Sequence, residues 1–194
     1  MESKSPSRRL FAAATNGLLL LFVAMAGAPM FTSDAFWQVA SGDWLRVHGL
    51  ADQSDPFSFT ATSERWVLHE WLTQVVFSLA HEAAGMYGLR LLTAAMAALI
   101  AWLVVRLWRR SFADAGDGGA AAGLFGLAAF VALGTMRIQS RPSLFTIAAI
   151  LFLVSLWTRR SQWRWRDAAA LVAVQLLWTN AHSVALVGPV LYAV

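Results

Sequence analysis

Long apolar runs separated by short charged clusters constrain this 194-residue chain more than any other feature. The first run, Leu10–Phe31, contains no charged residue. As a helix rising about 1.5 Å per residue, it is long enough to cross the roughly 30 Å hydrocarbon core of a bilayer. Further apolar runs follow at 86–107, 118–136, 142–158 and 168–190. The sequence therefore predicts an all-α fold, a polytopic membrane helix bundle of about five transmembrane helices in one domain, 1–194.

Charged residues make up only 13% of the sequence, against about 25% in a typical soluble domain. This composition excludes an ordinary water-soluble globule. Cysteine is absent, which also excludes disulfide scaffolds, thiolate metal sites and thiol catalysis. The net charge of +4 does not indicate a nucleic-acid partner, because the basic residues lie in short clusters between apolar runs.

The basic residues predict the orientation of the chain, since cytoplasmic loops of membrane proteins are rich in Lys and Arg. If the N-terminus is cytoplasmic, alternation of the spans places most of the 15 basic residues inside: Lys4, Arg8, Arg9, Arg106, Arg109, Arg110, Arg159, Arg160, Arg164 and Arg166. We therefore expect a multi-pass protein of a cytoplasmic (inner) membrane, with the segment 32–85 on the outer side.

The first and last runs each leave an alternative open. Lys4, Arg8 and Arg9 before an apolar stretch that ends in Ala26-Gly27-Ala28 also fit a cleaved signal peptide. In the fifth run, Asn180, His182 and Gly188-Pro189 leave one long helix and one and a half helices both open. This run ends in apolar residues, from which we expect the chain to be the N-terminal part of a longer protein.

The outer loop 32–85 is acidic and contains two helical patterns separated by the turn-rich stretch Gly49–Ser63. In the second pattern, apolar residues from Trp66 to Ala83 oppose polar ones at a period near 3.6. We expect two interfacial helices along the membrane surface.

The uncommon polar residues gather on the outer side or in the outer half of a span, and ionisable groups at membrane depth usually mark a functional cavity. They are Asp34, His48, His69, Glu70, His81, Arg137, Arg141, Asn180 and His182. A site in this chain is therefore expected to face outward.

Five segments together resemble a bacterial family of polytopic membrane proteins related to the GT-C glycosyltransferases, which are mannosyltransferase-like enzymes that use polyprenyl-phosphate-linked sugars. The segments are 33–45 (SDAFWQVASGDWL), 55–60 (DPFSFT), 66–72 (WVLHEWL), 141–145 (RPSLF) and 178–183 (WTNAHS). The resemblance extends over most of the chain from Leu10 onward. Its motifs are moderately specific as a set and weak singly.

The resemblance implies that Asp34 is the general base that takes the proton from an acceptor hydroxyl. An N-cap of the following helix is the alternative role for Asp34. Glu70 is a second candidate catalytic residue, and His69 beside it a candidate substrate contact. Both also fit the solvated face of a surface helix, and His69-Glu70 is not a zinc motif because Thr73 replaces the required second histidine.

A polyprenyl-phosphate leaving group requires positive charge at the outer headgroup level. Arg137 and Arg141 match this requirement, because a guanidinium offers forked donors to two phosphate oxygens. Snorkelling to lipid phosphate is their alternative role. Asn180 and His182 are candidate sugar or phosphate contacts, and an interhelical hydrogen bond is the alternative for Asn180.

The sequence carries no Walker A loop, no GxGxxG motif and no Asp-x-Asp signature, and the residues assign no cofactor and no metal. We predict an outward-facing hexosyltransferase of the GT-C-like class, or its N-terminal part, with membrane lipid and a polyprenyl-phosphate-linked sugar as partners. The alternative is a non-catalytic integral membrane binding or assembly protein of the same fold. A small transporter fits less well, because the charged residues crowd one face instead of lining a path.

Overall fold

The fold is known from a computed structural model that describes residues 13, 15–17, 19–24, 33–51, 54–60, 65–111, 117–135, 139–158 and 164–192. Residues 15–17 and 19–24 are helical. The helices that follow are α1 (Ser33–His48), α2 (Trp71–Ser111), α3 (Asp117–Thr135), α4 (Ser143–Trp157) and α5 (Trp165–Ala181), then a 3-10 turn (Ser183–Leu186) and α6 (Val187–Tyr192). These ranges contain no strand beyond one isolated bridge between Ser54 and Arg65, so the all-α prediction is confirmed.

Helix α2 consists of two arms that meet at a kink. Ala84 and Gly85 depart from helical geometry, and Gly85 has a φ of 57°, a region that favours glycine. The first arm runs over 71–83 and the second over 86–111. The kink coincides with the expected boundary between the outer loop, ending at 85, and the span beginning at 86.

The predicted runs at 118–136 and 142–158 correspond to α3 and α4 within one residue at each end. The fifth run breaks at His182, whose extended backbone (φ −157°, ψ 137°) separates α5 from the 3-10 turn, so the interrupted alternative is the one observed. The first run, 10–31, lies partly outside the described residues.

One described helical stretch, Trp71–Trp108, is both long enough and apolar enough to cross a membrane. Three shorter apolar helices accompany it at Thr15–Ala24, Ala121–Ala132 and Ser143–Trp157.

The helix of the second interfacial pattern differs from the expectation in its start and in its orientation. It begins at Trp71, so Trp66 and Val67 precede it. Its polar residues Thr73 and Ser78 are fully buried, whereas Leu79 is half exposed. These polar residues are turned inward because α1 offers partners to Ser78 and the end of α5 offers one to Thr73.

Helix α1 approaches the first arm of α2 closely at Gly42. A Cβ on Gly42 would lie 2.0 Å from the backbone oxygen of Gln74 and 2.7 Å from the Ser78 Cβ. Ser78 donates a hydrogen bond to Asp43 (2.6 Å) and accepts one from Arg46 (3.0 Å). This hydrogen-bonded contact holds the two helices together.

The remaining helices pack through two apolar clusters. The first joins the helical residues before α1 to α2, α3 and α4: Phe22, Ala97, Ile100, Ala101, Val131, Leu144 and Ala148. The second joins α4 to α5 and the 3-10 turn through Ala149, Leu153, Trp178 and Ala185. Together, the clusters fix the start of α4 and the end of α5 beside α2, and a third cluster of Val39, Phe77 and Leu89 joins α2 to α1.

We predict that Gly42→Ala destabilises the fold by about 1–3 kcal/mol or more, because the added methyl group collides with backbone that cannot rotate away. The measurement is thermal unfolding of the purified protein followed by circular dichroism. Gly126→Ala in α3 is the matched control: nothing lies within 4 Å of its added Cβ. Alanine favours an open helical position by up to about 1 kcal/mol. Equal effects of the two substitutions would contradict the close approach at Gly42.

Candidate functional site

An open cavity of about 340 Å³ lies where four helix ends meet. Its lining comes from α1 (Asp34, Trp37, Gln38), the residue before α2 (Glu70), the start of α4 (Arg141, Pro142, Ser143) and the residue after α5 (His182). Three of the four ends are N-termini, which carry partial positive charge. Both acidic residues of the lining therefore lie at a helix end that stabilises negative charge.

Asp34 and Arg141 face each other across the cavity. The Arg141 Nε lies 3.1 Å from the Asp34 Oδ2, and the two side chains are 41% and 49% exposed. The structure thus brings together the first candidate catalytic residue and one of the two candidate phosphate-binding arginines. Arg137, the other arginine, lies outside the described residues.

Glu70 occupies a more enclosed part of the cavity than Asp34. Its side chain is 15% exposed, and its Oε2 accepts a hydrogen bond of 2.9 Å from the Gln38 amide. The other carboxylate oxygen, Oε1, lies 3.6 Å from the His182 Nε2. Gln38 is buried, and its Oε1 has no hydrogen-bond partner among the residues that the structure describes. The pair of Glu70 and Gln38 therefore presents acceptor oxygens beside the cavity.

His182 is held from behind by α4 and α5. Its Nδ1 lies 2.7 Å from the Thr146 hydroxyl, which also accepts a hydrogen bond of 2.8 Å from the Trp178 indole. Thr146 and Trp178 are both buried. The ring of His182 therefore has one nitrogen in the protein interior and the other at the cavity.

Two further hydrogen bonds tie the end of α5 to the start of α2. The Trp71 indole donates to the Asn180 Oδ1 (2.7 Å), and the Thr73 hydroxyl donates to the Ala181 carbonyl (2.6 Å). The Asn180 Nδ2 donates in turn to the Leu176 carbonyl. Asn180 is absent from the cavity lining, and both polar atoms of its side chain bind protein groups.

His69 also lies away from the cavity lining. It is exposed, and its Nδ1 contacts the Val67 carbonyl at 3.1 Å. The structure therefore gathers Asp34, Glu70, Arg141 and His182 from the predicted site residues, while His69 and Asn180 flank the group.

Five residues of the site were not predicted as site residues from the sequence: Trp37, Gln38, Pro142, Ser143 and Thr146. The first four lie inside the motifs that carry the family resemblance, and that signal could have identified them. No sequence pattern pointed to Thr146 as a site residue, because a threonine within an apolar helix usually donates a hydrogen bond to the backbone of its own helix.

An aromatic cluster forms the outer edge of the site. The ring centroid of Trp37 lies 4.7 Å from that of Phe57 and 5.8 Å from that of Trp66. Trp66 also packs edge-on against Trp44. These contacts pack the segment after α1 against the side of α1 that carries Trp37 and Trp44. They also hold Trp37 at the rim of the cavity.

The cavity combines donors and acceptors of opposite charge. Arg141, Ser143 and the N-terminus of α4 suit an anionic group, while Asp34, Glu70 and Gln38 suit the hydroxyl groups of a ligand. No group of three or more His, Cys, Asp or Glu side chains suited to a metal ion occurs in the described ranges.

Comparison with protein-family models, with curated proteins and with solved structures found no match to this chain.

We predict that the Asp34–Arg141 pair contributes little to folding. Ion pairs between half-exposed side chains are worth about 0.2–1 kcal/mol, because water and salt screen them. A double-mutant cycle with Asp34→Asn, Arg141→Gln and the double variant, measured by thermal or denaturant unfolding, should give a coupling energy below about 1 kcal/mol. A coupling energy of several kcal/mol would instead assign the pair a structural role.

Proposed function

We propose that this protein is a GT-C-like membrane glycosyltransferase, or the N-terminal part of one, that transfers a sugar from a polyprenyl-phosphate carrier to an acceptor on the outer face of a bacterial cytoplasmic membrane. The observation that carries the proposal is the convergence of Asp34, Glu70, Arg141 and His182 on one cavity. These residues are distant in sequence and belong to separate segments of the family resemblance.

The surface of the described helices supports a multi-pass membrane protein, and the clusters of basic residues favour a cytoplasmic N-terminus. Large apolar side chains are exposed along α2, α3 and α5, among them Leu91, Phe125, Val172 and Leu176. Exposed apolar surface of this extent is unusual for a soluble monomer and suits lipid contact. The burial of polar residues in the first arm of α2 also supports a membrane protein, because polar groups of a helix in lipid must find their hydrogen-bond partners inside the protein.

The Arg141 end of the cavity is the proposed phosphate subsite. Arg141 precedes Pro142 at the N-terminus of the 15-residue helix α4, and Ser143 is the first residue of that helix. A phosphate there would meet a guanidinium, a hydroxyl and the positive end of a helix dipole. A positively charged leaving-group subsite suits the departure of polyprenyl phosphate.

The carboxylates supply the remaining chemistry. The acceptor oxygen forms a bond to the anomeric carbon, the bond from that carbon to the phosphate oxygen breaks, and polyprenyl phosphate leaves with the bonding electrons. A carboxylate takes the hydroxyl proton. Asp34 has this role by resemblance to the family, and its position next to Arg141 agrees with it. Glu70 and Gln38 would orient the acceptor by accepting hydrogen bonds from its hydroxyls.

The second candidate is a non-catalytic membrane protein of the same fold that binds lipid phosphate or assembles with a partner. The observation that favours it is the direct pairing of Asp34 with Arg141, since the two charges could serve only to hold α1 against the start of α4.

The test uses the full-length protein reconstituted in liposomes, with a panel of synthetic polyprenyl-phosphate hexoses and native membrane lipids as the acceptor source. Release of free polyprenyl phosphate and binding of radiolabelled polyprenyl phosphate are measured separately. We predict that Asp34→Asn lowers transfer by about 100-fold or more, the usual contribution of a general base, while binding is retained.

Arg141→Gln should weaken polyprenyl-phosphate binding by about 10-fold or more, because a charge-assisted hydrogen bond contributes about 1.5–3 kcal/mol. Asp167→Asn is the control: Asp167 is an acid in the first turn of α5 and is not part of the cavity lining. It should leave both quantities unchanged. Binding without transfer in the wild-type protein would favour the second candidate, and transfer at the wild-type rate in Asp34→Asn would exclude Asp34 as the base.

A further inference from the structure

The hydrogen bonds behind His182 form a chain in which the Trp178 indole fixes the direction of the first contact. The Trp178 indole nitrogen can only donate, so the Thr146 oxygen is an acceptor in the 2.8 Å contact between them. The Thr146 hydroxyl still has one hydrogen to donate, and the His182 Nδ1 lies 2.7 Å away. At that position, a neutral imidazole with an unprotonated Nδ1 accepts the hydrogen.

The cavity side of the ring favours the same arrangement. In the tautomer with an unprotonated Nδ1, the hydrogen is on Nε2, which faces the Glu70 Oε1 at 3.6 Å. The opposite tautomer would direct a lone pair at the carboxylate. The separation is slightly longer than a hydrogen bond, and such contacts often tighten when a ligand binds.

The ring is also fixed in place by its neighbours in the chain. Trp178, Asn180 and Ala181 each make a hydrogen bond to another helix: to Thr146 in α4, and to Trp71 and Thr73 in α2. The backbone on the N-terminal side of His182 is therefore tied to two helices. Rotation of the ring would break the hydrogen bond between its Nδ1 and the Thr146 hydroxyl.

We propose that Thr146 is a positioning residue that holds His182 in the neutral Nε2–H form, so that the ring offers one fixed N–H donor, to Glu70 or to a bound ligand, instead of acting as a base. This inference deepens the proposed function, on which its catalytic part rests. Proton acceptance in the cavity is then left to Asp34 and Glu70. The other titratable groups near the ring are His69, which flanks Glu70, and Arg141 across the cavity.

The tautomer is tested directly by nitrogen-15 NMR of the histidine rings in the labelled full-length protein, with the His182 signals assigned by their loss in His182→Gln. We expect Nδ1 to be the unprotonated nitrogen and Nε2 to carry the hydrogen at neutral pH. In Thr146→Val, which keeps the shape of the side chain and removes the hydroxyl, these signals should shift or broaden. Thr146→Ser, which restores the hydroxyl, should return them to the wild-type pattern.

The same variants are then assayed for transfer. We expect Thr146→Val to lower kcat by about 10–100-fold, a loss typical for hydrogen bonds that orient a functional histidine, and Thr146→Ser to recover most of the activity. The KM for the polyprenyl-phosphate hexose should change little, because Arg141 binds the phosphate.

A hydrogen on Nδ1 in the wild-type protein, or unchanged ring signals in Thr146→Val, would overturn the proposal whether or not the variants fold equally well. The NMR result needs no sugar donor. An Nε2–H tautomer in a protein that transfers no sugar would thus refute the proposed function while leaving the assignment of Thr146 intact.

Discussion

The close approach of α1 to the first arm of α2 is the contact on which the geometry of the site depends. At Gly42 the two backbones lie too close for even a methyl group between them. This spacing lets Gln38, one turn before Gly42, reach Glu70 ahead of α2. With a larger residue at position 42 the helices would separate, and the acidic ends of α1 and α2 would no longer line the same cavity.

The same contact explains why polar residues are buried in a chain with so few charges. Ser78 is buried and links Asp43 to Arg46, and Arg46 also pairs with Glu82. The three charged residues lie exposed at the edge of the contact, and the buried hydroxyl between them is satisfied inside the protein. A surface helix of a water-soluble protein instead buries its apolar face and exposes its polar face. Burial of Thr73 and Ser78 together with exposure of leucine and phenylalanine elsewhere agrees with the proposal of a membrane protein.

Much of this fold could be predicted from the sequence, because apolar runs bounded by charge clusters predict helices directly. The bounds of α3 and α4 and the boundary at Gly85 illustrate this success. The burial of polar residues in α2 could not be predicted in the same way: period alone shows that Gln74 and Ser78 share a face but not what covers that face. Convergence of Asp34 and Glu70 with Arg141 and His182 was an expectation from topology and resemblance. The contribution of Thr146 depends on a contact across two helices, which no local pattern encodes.

The pairing of Asp34 with Arg141 does not prevent either residue from acting on a lipid-linked sugar. A guanidinium has five N–H donors in a planar fork, and a carboxylate 3.1 Å from Nε engages one side of that fork. A phosphate that binds Arg141 would lengthen or replace the contact to Asp34, at a cost of about 1 kcal/mol for an ion pair this exposed. A phosphate bound to Arg141 would then lie beside the carboxylate, with the anomeric carbon one bond beyond its oxygen. In the proposed transfer with inversion, the acceptor hydroxyl approaches this carbon from the side opposite the phosphate oxygen, so Asp34 would take its proton by turning from Arg141 toward the acceptor within the same cavity.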